Sequence, residues 1–446
     1  MRDTSIRKKI AVVGTGISGM AAAWLLSQRH DITVYERDRR LGGHSNTVAV
    51  PHVGGTVPVD TGFIVFNERT YPNLTALFGF LGVATRPSRM SFSVSLDDGG
   101  FEYSGGNPAG LVAQKRNLVR PRFWSMLRDL VRFYRSAPRD LPMLVSSGIT
   151  LGAYLDSGGY GTSFRRDHLY PMAGAIWSAP TATIADFPAA TLVRFFENHG
   201  LLSLGDRPQW RTVAGGSQNY VKRLTDCFSD RVRLGAGVVA IHRDGNAVHV
   251  RDASGATESF DDVVIATHAD QALAMLAEPT ADERRVLGAF RYTSNTAVLH
   301  SDLRLMPKRR SVWSSWNHLG GDSDEQPTVT YWMNSLQDIP GELPYFVTLN
   351  PGREPDKIWR SETYEHPLMD SAAIAAQPKL WALQGERKTW FCGAYFGAGF
   401  HEDGLQAALA VAEALGGGRR PWSVPDESGR IAVGPARSIA ADEVAA

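Results

Sequence analysis

Residues 10–46, IAVVGTGISGMAAAWLLSQRHDITVYERDRRLGGHSN, constrain the fold more than any other stretch of the chain. An apolar run from Ile10 to Val13 reads as a buried strand and leads into Gly14-x-Gly16-x-x-Gly19. An alanine-rich helix follows, then a second strand, Asp31 to Tyr35, that ends at Glu36. In a βαβ unit of this kind Gly14 permits the tight turn, Gly16 lets the backbone approach a pyrophosphate, and Gly19 lets helix and strand pack closely. The helix N-terminus, with Ile17 and Ser18 in its first turn, offers free N–H groups to phosphate. Glu36 stands 17 residues after Gly19, near the spacing of a carboxylate that grips a ribose hydroxyl, with Arg37 beside it. A lone glycine motif would say little, but strand, helix, second strand and acid together predict a dinucleotide site.

At 446 residues the chain has room for two domains, and 43% hydrophobic with 21% charged residues fits a soluble globular protein. A net charge of +1 gives no global field for nucleic acid or membrane. Two cysteines, Cys227 and Cys392, make no disulfide framework, which suits a reducing compartment. No Cys/His cluster has metal spacing, so no metal is expected. The basic-then-apolar start could pass for a signal peptide, but motif glycines interrupt the apolar run, which is better read as strand and helix. No other stretch approaches a transmembrane span, so a cytoplasmic location is expected, with room for peripheral contact at the inner membrane face.

Gly42 stands six residues past Glu36, in Arg40-Leu-Gly42-Gly43-His44-Ser, which resembles the RxGGR-type motif of the flavin amine oxidase and phytoene desaturase superfamily. The resemblance implies FAD, with Gly42 and Gly43 passing close to its pyrophosphate. His44 departs from the usual final arginine and is a weaker, titratable phosphate partner. A flavin bond to His44 is conceivable, but non-covalent FAD is the expectation. Asp60-Thr61-Gly62-Phe63-Ile64, read inside a strand from Val57 to Phe66, resembles the segment that passes beside the flavin ring. Val238 resembles a valine packed by the adenine, although it reads equally well as sheet core. Asp262-Val-Val-Ile-Ala266-Thr resembles the strand supporting the cofactor. Trp390 to Leu405, through Gly393 and Asp403-Gly404-Leu405, resembles the last FAD element, whose helix N-terminus faces the flavin edge that becomes negative on reduction.

This order predicts an α/β protein: a Rossmann-type FAD-binding domain interleaved with an α+β substrate domain. Residues 1–66, 210–275 and 385–418 are assigned to the FAD-binding domain, 67–209 and 276–384 to the substrate domain, and 419–446 to a mobile or surface-wrapped tail. Val232 to Ile241 reads as one strand with a glycine interruption, and Asp244-Gly-Asn as a hairpin turn. Beyond the superfamily, VDTGFIVFNERTYPNL, AGAIWSAP, GGSQNYV, VWSSWNH, YWMNSLQ and GFHEDGL resemble a bacterial branch of NAD/FAD-binding oxidoreductases. That branch is associated with cyclopropane-fatty-acid-synthase-like methyltransferases and includes methylated fatty-acyl desaturases.

Three residues are candidates for chemistry near the flavin: His401, just before the final helix; Tyr395, between Gly393 and Gly399; and Lys308, the counterpart of an amine-oxidase lysine. Each has a plainer reading, as helix start, core aromatic and basic surface loop respectively. Trp177, Trp316 and Trp332 are further aromatic candidates, more readily core or tunnel wall. Residues 107–140 hold eight basic residues against two acidic, with Phe123, Leu127, Leu130, Val131 and Tyr134 at helical spacing. Such a basic amphipathic helix either packs on its own protein or lies on anionic lipid.

The leading functional expectation is an FAD-dependent oxidoreductase that takes hydride from a lipid-like substrate, desaturating a methyl-branched fatty acyl chain. The alternatives are an amine oxidase for a small or polyamine substrate, and a non-catalytic flavin-binding accessory protein of a lipid-modifying system. A long apolar tunnel reaching the basic helix favours the first, and a short aromatic pocket the second.

Overall fold

The computed structural model describes residues 6–52, 54–202, 207–320 and 328–434; the last part of the expected tail, 435–446, lies outside them. Five parallel strands form the nucleotide-side sheet, in the order Val232–Arg233, Asp31–Tyr35, Lys9–Val13, Asp262–Ile265 and Thr389–Phe391. These strands come from three distant stretches of sequence. The central strands are apolar apart from their first residues, Lys9 and Asp262, as expected where helices cover a parallel sheet. The alanine-rich helix Ile17–Leu26 is buried along its whole length and packs against the helix His401–Ala414. A three-stranded antiparallel sheet, Val238–Arg243, Val248–Asp252 and Thr257–Phe260, lies beside them.

The single strand expected from Val232 to Ile241 is therefore two. Val232–Arg233 joins the parallel sheet and Val238–Arg243 the antiparallel one, separated by Gly235 in the left-handed region at φ +67°. The expected strand Val57 to Phe66 is also broken. Gly55–Asp60 pairs with Thr47–His52 and stops at Asp60. Phe63 N–H then donates to the His44 carbonyl, and Gly62 passes so near that a Cβ would sit 2.2 Å from the same oxygen.

A seven-stranded sheet spans the other half, in the order Arg360–Pro367, Tyr292–His300, Phe346–Leu349, Thr328–Trp332, Trp316–Gly320, Phe92–Leu96 and Phe101–Ser104. Helices Pro121–Ser147, Leu151–Ser157, Tyr170–Trp177 and Ala189–Asn198 contribute to a separate aromatic-rich core. Within 107–140 the long helix begins only at Pro121, which suits the first helical position because its missing N–H needs no partner there. Residues Pro108–Leu111 and Lys115–Val119 form short turns of their own. The long helix buries Phe123, Met126, Phe133, Ala137 and Leu144, while Leu127, Leu130 and Tyr134 turn towards an internal cavity.

The described tail is docked rather than loose. Arg420 is buried against Glu413 at 2.8 Å, Trp422 stacks on Trp24 at 5.8 Å, and Arg430 reaches Asp403 at 2.7 Å.

Candidate active site

One cavity of about 1160 Å³ runs from the first strand–helix turn into the second half of the molecule. Its nucleotide end is built by the βαβ unit. Gly14 holds φ +98° and its N–H donates to the Tyr35 carbonyl at 2.8 Å. Gly16 has nothing within 4 Å of a Cβ position, so its surface is open to a ligand. Gly19 carries the helix–strand contact, since a Cβ there would sit 1.9 Å from the Gly14 carbonyl oxygen. Ile17 and Ser18 line the cavity at the start of the helix Ile17–Leu26, whose first N–H groups point the same way. The carboxylate of Glu36 accepts from the N–H groups of Thr15 and Asp38, both at 2.9 Å, and Thr15 Oγ1 also donates to it. Arg37 and Val238 line the same end.

The second glycine pair folds back on this turn. Gly42 N–H donates to the Thr15 carbonyl at 3.0 Å, and a Cβ on Gly43 would stand 3.0 Å from Gly16 Cα. Gly42 and Gly43 hold φ +109° and +55°, so glycine is needed at both. Gly19 and Gly42 shape this end from behind and are not on the cavity wall.

His44, Thr61, Gly62, Phe63 and Ile64 line the middle of the cavity. The His44 ring lies 4.9 Å from Tyr364, 5.4 Å from His366 and 6.3 Å from His268. Burial, then its histidine neighbours and Arg40, hold the pKa of His44 well below that of free histidine. Thr61 Oγ1 is 2.7 Å from the Tyr364 hydroxyl. Nothing in the sequence singled out Tyr364 or His366. Both lie on Arg360–Pro367, the edge strand of the seven-stranded sheet, which supplies this wall. Only the tertiary pairing reveals their role.

His401 and Tyr395 line the cavity, together with Ala266 and Gly393. His401 lies flat on Phe63, with centroids 3.8 Å apart, and its Nε2 is 3.0 Å from Ser45 Oγ. Burial drives its pKa down to about 3, so it is neutral at physiological pH. The Tyr395 hydroxyl is buried without a hydrogen-bond partner among the described residues.

Asp403, Gly404 and Leu405 sit behind the wall. The helix starts at His401, three residues earlier than the glycine suggests, because the Asp403 carboxylate accepts from Phe400 N–H at 2.8 Å and caps it there. Gly404 N–H already donates within the helix, to the Phe400 carbonyl at 3.1 Å. Gly404 is the close contact with the first helix instead, its Cβ position being 2.6 Å from Ser18 Oγ. Leu405 is core.

Lys308 stands apart from this cavity. It is exposed, its Nζ pairs with Asp98 at 2.7 Å, and it cannot serve as an amine-oxidase-type lysine from there. Trp332 packs on Trp313 at 5.4 Å and is not on the cavity wall, whereas Trp177 and Trp316 are.

Beyond the middle, the cavity enters a mainly apolar compartment, whose wall near Leu130 also carries Tyr134, His168 and Arg207. Leu111, Leu127, Leu130, Met172, Ile176 and Leu349 line it, with aromatic walls from Phe92, Trp177, Phe195, Trp210, Trp316 and Phe400. His199 stands among the aromatics, stacked 3.8 Å from Phe195. Its Nε2 and the Nε1–H of Trp177 are buried without partners among the described residues. Among those residues no group of metal-ligating side chains forms a metal site, and no helix is long and apolar enough to cross a membrane.

The family model described as flavin containing amine oxidoreductase matches residues 17–402. The chain belongs to that family. It is an FAD-dependent oxidoreductase, and the residues fit the cofactor: an open Gly16, two further glycines folded onto it, an acid at the end of the second strand, and an unpartnered tyrosine hydroxyl further along the cavity. Solved structures share the fold at low identity. The CLA-producing fatty acid isomerase from P. acnes is 15% identical, with 90% of this chain and 97% of that one covered and a TM-score of 0.63. Wild-type putrescine oxidase bound to putrescine is 13% identical, with 92% and 99% covered and a TM-score of 0.66. Cyclohexylamine oxidase from Brevibacterium oxydans IH-35A is 17% identical, with 92% and 100% covered and a TM-score of 0.64. No curated protein sequence matches this chain.

Proposed function

We propose that this enzyme desaturates a long apolar chain, and that the chain is a methyl-branched fatty acyl group. The carrying observation is the shape and lining of the cavity. It continues from the dinucleotide end into an apolar compartment that reaches Leu127 and Leu130 of the helix Pro121–Ser147. A small amine does not need such a length of aliphatic wall. The fold is shared with a fatty acid isomerase as well as with amine oxidases, so it accommodates either substrate class.

Bound FAD supplies the hydride acceptor. The chain's own residues must hold a C–H bond in place, keep water out and receive a proton. A methyl-bearing carbon is tertiary, so loss of hydride leaves positive charge at its best-stabilised position. The aromatic faces of Trp177, Phe195, Trp210 and Phe400 surround that compartment and favour such charge. A C–H bond next to a cationic carbon is strongly acidic, so a weak base is sufficient to take the proton and form the double bond. His199 offers one: a bare, buried Nε2 on a ring whose pKa burial lowers to about 3. With FAD bound, hydride loss from the tertiary carbon would leave the adjacent C–H proton to His199 Nε2, and the C–H electron pair would form the C=C bond.

The aromatic wall also suits an alkylammonium group, which keeps amine oxidation as the second reading. The two are separated by mixing the yellow protein anaerobically with methyl-branched lipid extract and, separately, with amines. Bleaching of the flavin by lipid and not by amines is expected. Bleaching by amines alone overturns the proposal.

A further inference from the structure

The helix Pro121–Ser147 and the turns before it carry a cluster of exposed apolar residues. Val119 is 83% exposed, Trp124 53%, Leu118 40% and Val112 39%, within 13 residues of one another. Single exposed apolar residues are ordinary, but a cluster beside basic side chains marks an interaction site. Next to it, an outer groove of about 810 Å³ runs along the helix. Four arginines line it, Arg128, Arg132, Arg135 and Arg139, against one acid, Asp140. They recur every three or four residues and so share one helix face.

The arginines are not equivalent. Arg132 donates to the Gly158 and Gly159 carbonyls at 2.9 and 3.1 Å and lies over the Tyr160 ring at 4.0 Å, so it holds the fold together. Arg128 lies 3.3 Å from Asp129. Arg135 and Arg139 are exposed and pair with no carboxylate among the described residues.

Leu127 lines both the outer groove and the inner cavity, and Leu111, beside exposed Val112, lines the cavity as well. The exposed apolar cluster therefore stands at the wall of the apolar compartment.

We infer that this face docks on a bilayer bearing anionic lipids: Val119 and Trp124 enter the acyl boundary, Arg135 and Arg139 meet headgroup phosphates, and a chain enters past Leu127. The charge selects the partner, since a purely apolar face would suit any hydrophobic surface, whereas unpaired arginines beside it require anions. The inference deepens the proposed function and rests on it for what enters the cavity. Docking itself is measured separately.

The test is sedimentation of FAD-loaded protein with vesicles of phosphatidylcholine alone or with phosphatidylglycerol. Wild type is expected to pellet with the anionic vesicles at low salt, to release as salt rises, and to ignore neutral ones. Arg135→Gln and Arg139→Gln should each lower the partition coefficient about fivefold, equivalent to roughly 1 kcal/mol per basic residue. Val119→Asp should abolish binding, and flavin content reports that each variant is folded. Failure of wild type to bind at low salt, or variants that bind as well as wild type, overturns the docking face. Vesicle binding without flavin bleaching by any lipid upholds the docking face and overturns the proposed substrate instead.

Discussion

His199 Nδ1 lies 2.9 Å from the Phe195 carbonyl oxygen, one turn back along the same helix. A carbonyl oxygen only accepts, so the proton sits on Nδ1 and Nε2 keeps a free lone pair inside the cavity. Burial, with Arg430 assisting, lowers the ring's pKa to about 3, so this tautomer persists at neutral pH. His199→Phe keeps the stack on Phe195 and removes the acceptor. Flavin reduction by substrate should slow by roughly 100-fold, within the range of a positioned base. FAD affinity should not change, because the phenyl ring keeps the packing of His199 on Phe195. Anaerobic stopped-flow mixing measures this, and a wild-type reduction rate would exclude His199 as the base.

Glu36 offers a second test. Its carboxylate fixes the backbone of Thr15 and Asp38 and still faces the cavity. Hydrogen bonds to a charged group contribute about 1.5–3 kcal/mol. Glu36→Ala should therefore weaken FAD binding by roughly 10- to 100-fold in a titration of apoprotein. An unchanged dissociation constant would remove Glu36 from the nucleotide site.

The flavin should not be covalently bound. His44 is closed in by Tyr364, His366 and His268, and its carbonyl is engaged by Phe63 N–H. Acid precipitation should leave all yellow colour in the supernatant, and colour retained in the pellet would contradict this.

The nucleotide half was legible in the sequence because its constraints are local. Turn, helix and acid lie within one βαβ unit, and Gly14, Gly16 and Gly19 each sit where their spacing implies. Gly404 shows the limit. The family resemblance puts a helix start near Gly404 and Leu405, but Asp403 caps Phe400 and moves the start back to His401. The substrate half was hidden for a different reason. Trp177 and Trp316 stood out as aromatic candidates, but His199 and His366 did not, and the four come from separate elements that share one cavity only through tertiary packing. The long helix was visible as a basic amphipathic stretch. Its pattern could not tell Arg132, which clamps Gly158, from Arg139, which is exposed and pairs with no carboxylate among the described residues.

Stability should fall with acid. His168, His300 and His318 are buried and His366 is half-buried in the cavity wall, and desolvation lowers each pKa from 6.5 to about 4. Between these values they are neutral when folded and protonated when unfolded. The unfolded state then binds more protons, so their stabilisation is complete above pH 6.5 and is lost as pH falls towards 4. Asp60 acts the other way: burial raises its pKa to about 6, so the fold gains from its proton below that pH. Buried Glu402 and Asp403 act as Asp60 does, but His199 and His401, lowered to about 3, join the four histidines, and six outweigh three carboxylates at on the order of 1 kcal/mol each. The Tm of FAD-saturated protein should drop steadily from pH 7 to pH 5, and a flat profile would refute the assignment.

The tail supplies the last test. Arg430 Nε stands 2.7 Å from Asp403 Oδ1, and another guanidinium nitrogen donates to the Thr70 carbonyl at 2.7 Å. Asp403 is fully buried at the start of the helix His401–Ala414, and burial raises its pKa while Arg430 and Phe400 N–H oppose that shift. Removing one partner of a buried pair leaves an uncompensated charge and costs about 3–5 kcal/mol. Arg430→Met should destabilise the protein by roughly 3 kcal/mol in urea unfolding. Adding Asp403→Asn removes the stranded charge, so the double variant should be more stable than Arg430→Met alone. The position of the pair gives the measurement a functional side. If the tail only covers the surface, Arg430→Met will unfold like wild type. If it anchors the flavin-side helix, Arg430→Met will also loosen FAD, and the double variant will regain part of that affinity.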